Sequence, residues 1–377
     1  MATGIPSIFK KIIAIIIVLI STVYVVGSLT PYINPINLQL YTYVALGFPY
    51  LLLAMLCSCI ICFFTFRKYF WVLFALIFIG YKNILSTTGL RLQQTFIQAK
   101  APNTFRLLSW NVEEFVNSQW QWDTLNNPRR KILDFVKNSN ADVLCFQDYK
   151  DYPTVNGFYS NSKYIKDTLG YKYYFFSVDV FYQTSPSRES YGTAIFSKYP
   201  MTDTGKIAYD WQDFPEHLAY ADIQFSNKKI RFYNTHLRSM HLNGERRALG
   251  IDYTFIQDDT SIIFNKTKFE TIAYFDSIHI RQAQLIKRQL NAYNKPFVFC
   301  ADLNSVPSSY VYNHISKGLS DAFLQNGLGW GASYNGLSPT LRIDVTLLSP
   351  QLKATQFNCP KLIASDHFPL VTDITFP

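Results

Sequence analysis

The 377-residue chain divides by charge near residue 100. Residues 1–100 carry seven Lys and Arg and no Asp or Glu, whereas residues 101–377 carry 28 basic and 26 acidic residues. The net charge of +9 therefore comes mainly from the first hundred residues. The nearly neutral remainder excludes a nucleic-acid-binding surface that rests on net basic charge alone, and the change in composition predicts two domains.

Three apolar stretches precede the charged part of the chain, at residues 12–29, 41–66 and 69 to about 86. The first two are long enough to cross a bilayer, for which about 20 residues suffice. The third contains Lys82, a charge that is tolerated near a helix end because the side chain extends to the headgroups. A cleaved signal peptide is the alternative for the first stretch, but no small-residue cleavage site is evident. We predict a membrane anchor of about three helices at residues 1–90 and a linker at 91–103.

The charges that flank these stretches predict which side of the membrane the rest of the chain occupies. Lys10 and Lys11 precede the first stretch, and Arg67 and Lys68 separate the second from the third. Lys and Arg are retained on the cytoplasmic side, so three spans place the C-terminal domain outside the cytoplasm. If the third stretch only dips into the membrane, the domain lies on the other side.

The C-terminal part alternates strand-like and helix-like segments. Apolar and alternating patterns predict strands at residues 105–110, 143–147, 173–180, 193–197, 219–225, 230–235, 297–300, 342–348 and 370–374, and helices at about 128–138 and 277–293. Many strands with few helices indicate two packed sheets with helices outside.

Short oxygen-bearing side chains follow the first two of these strands. Asn111 follows the strand at 105–110, and Asp148 follows the strand at 143–147. Such side chains suit a hard cation such as Mg²⁺, which prefers oxygen ligands. An isolated Asn or Asp after a strand is more commonly a turn former that bonds its own backbone. Either residue alone is therefore a weak signal.

Later strands end in further polar side chains. His236 follows the strand at 230–235, where a lone histidine is more commonly structural. Asp302 and Asn304 occupy alternating positions, so a base and an oxyanion donor share one pocket if the strand geometry persists.

Two acidic positions complete the set. Asp344, taken alone, fits a salt bridge or a strand end. Asp366 and His367 place a carboxylate beside an imidazole within an apolar segment, the pairing that most requires a functional reason.

Six motifs that contain these residues, together with a seventh at residues 191–200, resemble in their order the endonuclease/exonuclease/phosphatase superfamily, which includes deoxyribonuclease I. The motifs are Ser109-Trp110-Asn111-Val112, Gln147-Asp148, residues 191–200, Asn234-Thr235-His236-Leu237, Asp302-Leu303-Asn304, Arg342-Ile343-Asp344 and Ser365-Asp366-His367. The resemblance covers residues 104–377. It implies an α+β fold, a four-layer α/β/β/α sandwich of the deoxyribonuclease I type, preceded here by the transmembrane helices.

The resemblance also implies an enzyme that hydrolyses phosphoric ester bonds by metal-assisted attack of water, with Mg²⁺ as cofactor. It assigns Asn111, Asp148 and Asp366 to the metal, Asp302 to the attacking water, Asn304 and His236 to the phosphate, and Asp344 to orienting His367, which acts on the phosphate or as an acid/base group.

One departure from the superfamily pattern affects the metal. Members usually have Glu after the Gln, whereas this chain has Asp148, which is one methylene shorter. Because Mg²⁺ tolerates poor geometry badly, Mn²⁺ or Ca²⁺ is an alternative ion. A catalytically impaired binding or scaffold protein is the hypothesis of a different class.

The motifs fit more than one class of phosphate ester as the substrate. We predict a nuclease-like phosphodiesterase, and the alternatives are a phospholipid or sphingolipid phosphodiesterase and a phosphomonoesterase, because all three fit the motifs. The anchor favours a lipid substrate, while phosphate contacts to nucleic acid need a basic cleft. The long segment 240–271, which mixes aromatic, basic and acidic residues, is predicted to border the cleft and to shape substrate choice.

Overall fold

The computed structural model of the protein describes residues 7–91, 95–115, 127–152, 160–182, 188–209, 215–240, 266–336 and 338–376. Its N-terminal part is helical. The helices are α1 (Ser7–Ser28), α2 (Leu40–Leu46), α3 (Phe48–Thr65), α4 (Phe70–Ile77) and α5 (Tyr81–Thr87), with a single 3₁₀ turn, Phe78–Gly80, joining the last two. Three helical runs are long and apolar enough to cross a membrane, at Ser7–Ser28, Phe48–Thr65 and Phe70–Thr87.

The second apolar stretch is not one helix, which corrects the predicted span at 41–66. Helix α2 ends at Leu46, Gly47 intervenes, and α3 begins at Phe48 with Pro49 in its first turn. Proline has no N–H to continue the preceding helix, and its ring clashes with the carbonyl four residues earlier. Residues 41–46 therefore form a separate short helix rather than the first turns of a spanning one.

The C-terminal part contains two six-stranded sheets. The first has the spatial order β10 (Ser320–Asp321), β12 (Asp344–Leu348), β9 (Phe297–Asp302), β8 (Lys228–His236), β7 (His217–Phe225) and β6 (Met201–Ala208). The second has the order β13 (Lys353–Asn358), β14 (Leu370–Thr375), β2 (Thr104–Asn111), β3 (Val143–Asp151), β5 (Ser190–Ser197) and β4 (Tyr173–Phe181). Each sheet has one parallel pair at its centre, β8 with β9 and β2 with β3, and antiparallel pairs elsewhere.

The two sheets pack face to face with helices on their outer faces. In β2, Leu107 faces the other sheet, where it joins a buried cluster with Phe232 and Val298. The next residue, Leu108, points to the outer face and packs with Ile132 of α6 (Pro128–Ser139). Strands buried on both faces are continuously apolar, which explains why these segments show little alternation.

The other outer face carries the longest helix described. Helix α8 (Lys266–Ala292) packs with α9 (Tyr310–Ser316) over the first sheet, and α7 (Asn161–Asp167) lies beside α6 on the second. A short helix, α10 (Ala322–Asn326), follows β10. The α+β four-layer prediction is confirmed. Helix α8 begins at Lys266, eleven residues before the predicted start.

The N-terminal helices and the C-terminal part are joined by a small strand pair. Residues Gly89–Leu90 (β1) pair antiparallel with Leu328–Gly329 (β11). The segment predicted as a linker is also bonded to the second sheet, since Ile97 N donates to Gln356 Oε1 at 2.8 Å and Lys100 Nζ lies 2.7 Å from Asp142.

Candidate active site

The polar ends of three neighbouring strands meet at one edge of the first sheet. Strands β8 and β9 run parallel, and their last residues, His236 and Asp302, are register partners. Strand β12 runs the other way and begins at Asp344, which is also paired with Asp302. The carboxyl ends of parallel strands share one edge, so strand pairing alone brings these three residues together.

The second sheet presents its polar residues at the same end of the sandwich. Asn111 ends β2 and is paired with Gln147 of the parallel strand β3. Asp148 lies at an irregularity in β3, where the register shifts and its φ is +47°. This left-handed backbone turns Asp148 out of the alternation of the strand.

Hydrogen bonds join the two edges. Asn111 Nδ2 donates to Asp302 Oδ2 at 2.9 Å, and Gln147 Nε2 donates to Asn234 Oδ1 at 2.6 Å. Trp110 Nε1 donates to the carbonyl oxygen of His367 at 2.9 Å. The motifs recognised in the sequence therefore contact one another across the two sheets.

Asp302 is the centre of the cluster. Its carboxylate accepts from Asn111 Nδ2 and from the backbone N–H of Asn304, both at 2.9 Å. Its Oδ2 lies 3.5 Å from His236 Nε2 and 3.6 Å from His367 Nε2. A fully buried carboxylate thus stands between two imidazoles.

His367 is held by Asp344. The Nδ1 atom of the ring lies 2.8 Å from Asp344 Oδ2, in a setting where both residues are buried. Burial lowers the pKa of His367, but Asp344 and Asp302 outweigh it and hold that pKa well above its ordinary value. The bond to Asp344 fixes the tautomer and leaves Nε2 toward Asp302.

His236 is paired in the same way with Asp148. The distance from His236 Nδ1 to Asp148 Oδ1 is 3.2 Å. Burial lowers the pKa of His236, whereas Asp148 and then Asp302 raise it, and the resulting pKa is about 9. In both pairs the carboxylates favour the charged form of the ring, which suits contact with a phosphate anion.

Asn304 reaches the pocket by a route that the sequence did not predict. Strand β9 ends at Asp302, and Asn304 has a left-handed φ of +45°, so alternation along the strand does not continue. The backbone N–H of Asn304 folds back onto Asp302 Oδ1, and its Nδ2 lies 3.0 Å from His236 Nε2. A turn, rather than strand geometry, brings Asn304 to Asp302 and His236.

Asp366 lies at the open side of the cluster, with its side chain one third exposed. Its Oδ1 is 3.8 Å from His367 Nε2, and its backbone N–H donates to Glu113 Oε2 at 2.8 Å. Burial raises the pKa of the Asp366 carboxyl; His367 opposes this rise, and Asp148 and Asp302 add to it. All eight residues predicted for the site therefore lie in one connected cluster.

The cluster has the chemistry that a hard divalent cation requires. Carboxylates crowd together at Asp148, Asp302 and Asp366, and one atom of a neighbouring carboxylate, Asp344 Oδ1, is buried with no hydrogen-bond partner. Ligand atoms of Asp302, Asp344 and His367 also lie within 4.8 Å of one another. Oxygen-rich donors and unneutralised negative charge fit Mg²⁺, Mn²⁺ or Ca²⁺ rather than a softer metal.

Residues 108–367 match the model of the Endonuclease/Exonuclease/phosphatase family, which is more than half of the chain. The chain belongs to this family. It is accordingly a hydrolase that acts on phosphoester bonds. Residues 10–87, which hold the N-terminal helices, match a second family, described as a domain of unknown function.

Solved structures resemble the family domain in fold. The human Nocturnin catalytic domain with bound sulfate anion is 15% identical, with 74% of this chain and 97% of that chain covered and a TM-score of 0.50. A family member from Beutenbergia cavernae is 17% identical, with 73% and 72% covered and a TM-score of 0.49. One from Bacteroides thetaiotaomicron is 15% identical, with 74% and 97% covered and a TM-score of 0.48. No curated protein matches the chain.

Several residues that support the site in this family member were not predicted from the sequence. Glu113 holds the backbone of Asp366, and Ser333 Oγ accepts from the backbone N–H of Asp344 at 3.0 Å. The ring of Tyr334 lies against that of His367, with centroids 5.0 Å apart. Of these three residues, Glu113 alone could have been suspected from the sequence, because it lies two positions after Asn111.

His279 of α8 is a further buried residue beside the site. Its Nε2 lies 2.6 Å from the carbonyl oxygen of Arg238, and its Nδ1 lies 3.3 Å from Ser305 Oγ. Burial lowers the pKa of His279 to about 4, so the ring is neutral. It thereby connects the loop after His236 to the loop after Asp302.

The predicted specificity segment, residues 240–271, lies mostly outside the described residues. Within it the structure describes Met240 and the first turns of α8. Met240 is buried with Ile272 and Ile278 of that helix. The border that this segment forms with the cleft stays a prediction.

Proposed function

We propose that this family member hydrolyses its phosphate ester by attack of a water molecule that Asp302 orients and deprotonates. The observation that carries the proposal is the position of Asp302 between two imidazoles, 3.5 Å from His236 Nε2 and 3.6 Å from His367 Nε2. A carboxylate accepts the proton of the water, and adjacent cationic rings hold the phosphate that the water attacks.

The bonds from Asn111 and Asn304 support this role for Asp302. Each occupies one carboxylate oxygen from a fixed direction, so the carboxylate cannot rotate freely. Asn304 Nδ2 and His236 Nε2 lie 3.0 Å apart, so both side chains are placed to contact the same phosphoryl group. Positioned donors of this kind stabilise the charge that develops on the phosphate in the transition state.

His367 acts on the side of the leaving group. As the bond between phosphorus and the ester oxygen breaks, the departing oxygen takes a proton from His367 Nε2. Asp344 holds Nδ1 at 2.8 Å and stabilises the charged ring before that transfer. Asp302 holds the proton of the water at the end of the step, so the protons balance.

We assign the divalent ion to Asn111, Asp148 and Asp366. An ion held by these residues would supply positive charge next to the phosphate. Mg²⁺ is the proposed ion, and the shorter side chain at Asp148 makes Mn²⁺ or Ca²⁺ the alternatives. The bond from Asp148 to His236 holds its carboxylate between that ring and Asp366.

We also propose that the three long apolar helices cross the membrane and place the hydrolase domain outside the cytoplasm. The ends of α1 and α5 that contact the domain lie opposite Lys10, Lys11, Arg67 and Lys68. Positive charge is retained in the cytoplasm, so the domain would lie on the other side. Labelling single cysteines on the domain in intact cells with an impermeant reagent tests this orientation.

Activity measurements on the full chain in detergent test the proposed chemistry. A panel of a soluble phosphodiester, a phosphomonoester, DNA, RNA, phospholipid and sphingomyelin should reveal turnover that requires a divalent ion and disappears with a chelator. Asp302→Asn should lose at least about 10³-fold in kcat. Asp203→Asn, the same change at an exposed residue of β6, is the matched control.

The alternative is a binding protein without activity. Folded protein that turns over no ester with Mg²⁺, Mn²⁺ or Ca²⁺ would support that alternative and contradict the proposed mechanism. Turnover that Asp302→Asn leaves intact would contradict the assignment of the base.

A further inference from the structure

The loop that follows Asp302 in this protein rests directly on the membrane anchor. Thr30 Oγ1 donates to the carbonyl oxygen of Ser308 at 2.6 Å, and Ser308 Oγ donates to that of Ala45 at 2.7 Å. Ser86 Oγ donates to the carbonyl oxygen of Pro307 at 3.0 Å. The same loop that carries Asp302 is therefore fixed to three separate segments of the anchor.

A buried arginine strengthens this junction. Arg342 Nη2 donates to the carbonyl oxygen of Ser86 at 2.6 Å, and its Nη1 binds Asp321 Oδ2, also at 2.6 Å. Arg342 stands two residues before Asp344, the partner of His367. Strands β9 and β12, which supply Asp302 and Asp344 to the site, thus meet the anchor next to their catalytic ends.

Tyr334 contacts the active-site histidine and belongs to an apolar cluster that includes a residue of the anchor. The ring of Tyr334 lies 5.0 Å from that of His367 between centroids. It also packs against the apolar cluster that α2 forms with the loop through Ala45, Val306 and Ile343. Tyr334 therefore connects His367 with the apolar cluster to which α2 contributes Ala45.

The anchor residues at this junction mark the level of the bilayer surface. Exposed aromatic and aliphatic side chains occur between α1 and the first turn of α3, where Tyr32, Leu38, Leu40 and Tyr50 are each about half exposed. The ammonium of Lys82 lies 4.3 Å from the centre of the Tyr32 ring. Tyrosines and a lysine at the end of apolar helices are typical of the interface between hydrocarbon and water.

We propose that the substrate is the phosphate ester of a membrane lipid headgroup, an inference that rests on the proposed hydrolase function. The junction places the site at the membrane surface, where lipid phosphates lie. A lipid substrate is held in the same membrane and therefore stays close to the site. The nearly neutral charge of residues 101–377 is consistent with this, because affinity for nucleic acid requires many basic phosphate contacts.

The test uses the full chain reconstituted into vesicles of zwitterionic phospholipid. The test lipids are phosphatidic acid, phosphatidylglycerol and sphingomyelin at a few per cent each, compared with soluble bis(4-nitrophenyl) phosphate, 4-nitrophenyl phosphate and single-stranded DNA. Diluting the test lipid within the membrane at constant bulk concentration should lower its turnover in proportion to its surface fraction. The kcat/KM for a lipid should exceed that for any soluble ester by at least 100-fold.

Two matched variants distinguish an effect on access to the membrane lipid from an effect on catalysis. Leu38→Ser alters the exposed connection beside the junction, whereas Ile97→Ser alters an exposed residue of the segment on the second sheet. We expect Leu38→Ser to lower lipid turnover severalfold without changing soluble ester turnover. Ile97→Ser should change neither.

The outcomes distinguish this inference from the function on which it rests. Turnover of DNA or of a soluble ester, with no turnover of any lipid, would overturn the lipid inference and keep the hydrolase. Lipid turnover that does not respond to surface dilution would also overturn it. Failure to hydrolyse any ester would instead contradict the proposed mechanism.

Discussion

Asn111 of one sheet donates a hydrogen bond to Asp302 of the other, with 2.9 Å between Nδ2 and Oδ2. Both side chains are buried, so this bond crosses the interface of the sandwich at the site itself. The orientation of the Asp302 carboxylate, the proposed base, therefore depends on the relative position of the two sheets.

Replacing Asn111 with Ala should therefore affect both activity and stability. Asp302 loses a donor, and leaving a buried acceptor without one costs about 1–3 kcal/mol. We expect kcat to fall about 10²-fold, measured by initial rates, and the free energy of unfolding to fall by that amount. Full activity in Asn111→Ala would show that the bond does not position the base.

Asp344→Asn tests the pairing with His367. The amide has no negative charge to stabilise the charged ring, and its NH₂ group can face Nδ1 and change the tautomer, so kcat should fall about 10²- to 10⁴-fold. The fold, monitored by circular dichroism, should remain. Asp179→Asn is a matched control, because Asp179 binds the Nδ1 atom of His217 at 2.7 Å elsewhere in the domain. An equal loss of activity in both variants would contradict a specific role for Asp344.

His279 is predicted to be a positioning residue. It joins the loops that carry His236 and Asp302 without contacting either catalytic side chain. We expect His279→Phe to lower kcat about 10- to 100-fold with a smaller change in KM, because displacement of the loops misaligns the site. His279→Gln, which keeps a donor and an acceptor, should restore part of kcat. His314→Phe, on α9, is the control.

Much of the fold followed from the sequence because its central strands are buried on both faces. The strand beginning near Phe105 and the one at Val143 were predicted within a few residues of β2 and β3. Strand β6 at Met201–Ala208, which is mostly exposed, carries no such apolar signal and was not predicted. The break between α2 and α3 was missed because hydropathy does not report backbone geometry at Gly47 and Pro49.

The site was predictable as a set of residues but not as a set of contacts. Asp302 and His236 end neighbouring parallel strands, so their motifs implied that they converge. No pattern predicted the left-handed turn at Asn304 or the bond from Asp148 to His236, because both depend on local backbone conformation. The role of His279 was not predicted, because it lies in α8 among apolar residues at helical spacing and no motif includes it.

Removing Asp373 from its buried ion pair with Arg106 should greatly lower the free energy of unfolding. Arg106 Nε lies 2.6 Å from Asp373 Oδ1, and both side chains are fully buried between β2 and β14. Asp373→Ala leaves a buried guanidinium without its partner, which costs about 3–5 kcal/mol. Denaturant unfolding measures this loss. Asp134→Ala, which removes an exposed partner 3.7 Å from Arg130, should cost no more than about 0.5 kcal/mol.

We predict that the contribution of Asp276 to the free energy of unfolding falls as the pH rises from about 4 to about 6. Its carboxyl is buried against Thr42 of α2, and burial raises its pKa from 3.8 to about 6. The folded protein therefore binds this proton more tightly than the unfolded chain does. The stabilisation is fully present below about pH 4 and is lost as the pH rises through about 6, to a total of about 3 kcal/mol.

Thermal unfolding of Asp276→Asn against the unchanged protein, across pH 4 to 7, measures this contribution. The amide cannot ionise, so the variant should lose this part of the pH dependence and should be the more stable protein above pH 6. Asp203→Asn, at an exposed carboxyl, should follow the unchanged protein at every pH. Parallel curves for Asp276→Asn and the unchanged protein would show that Asp276 ionises as readily in the folded state as in the unfolded chain.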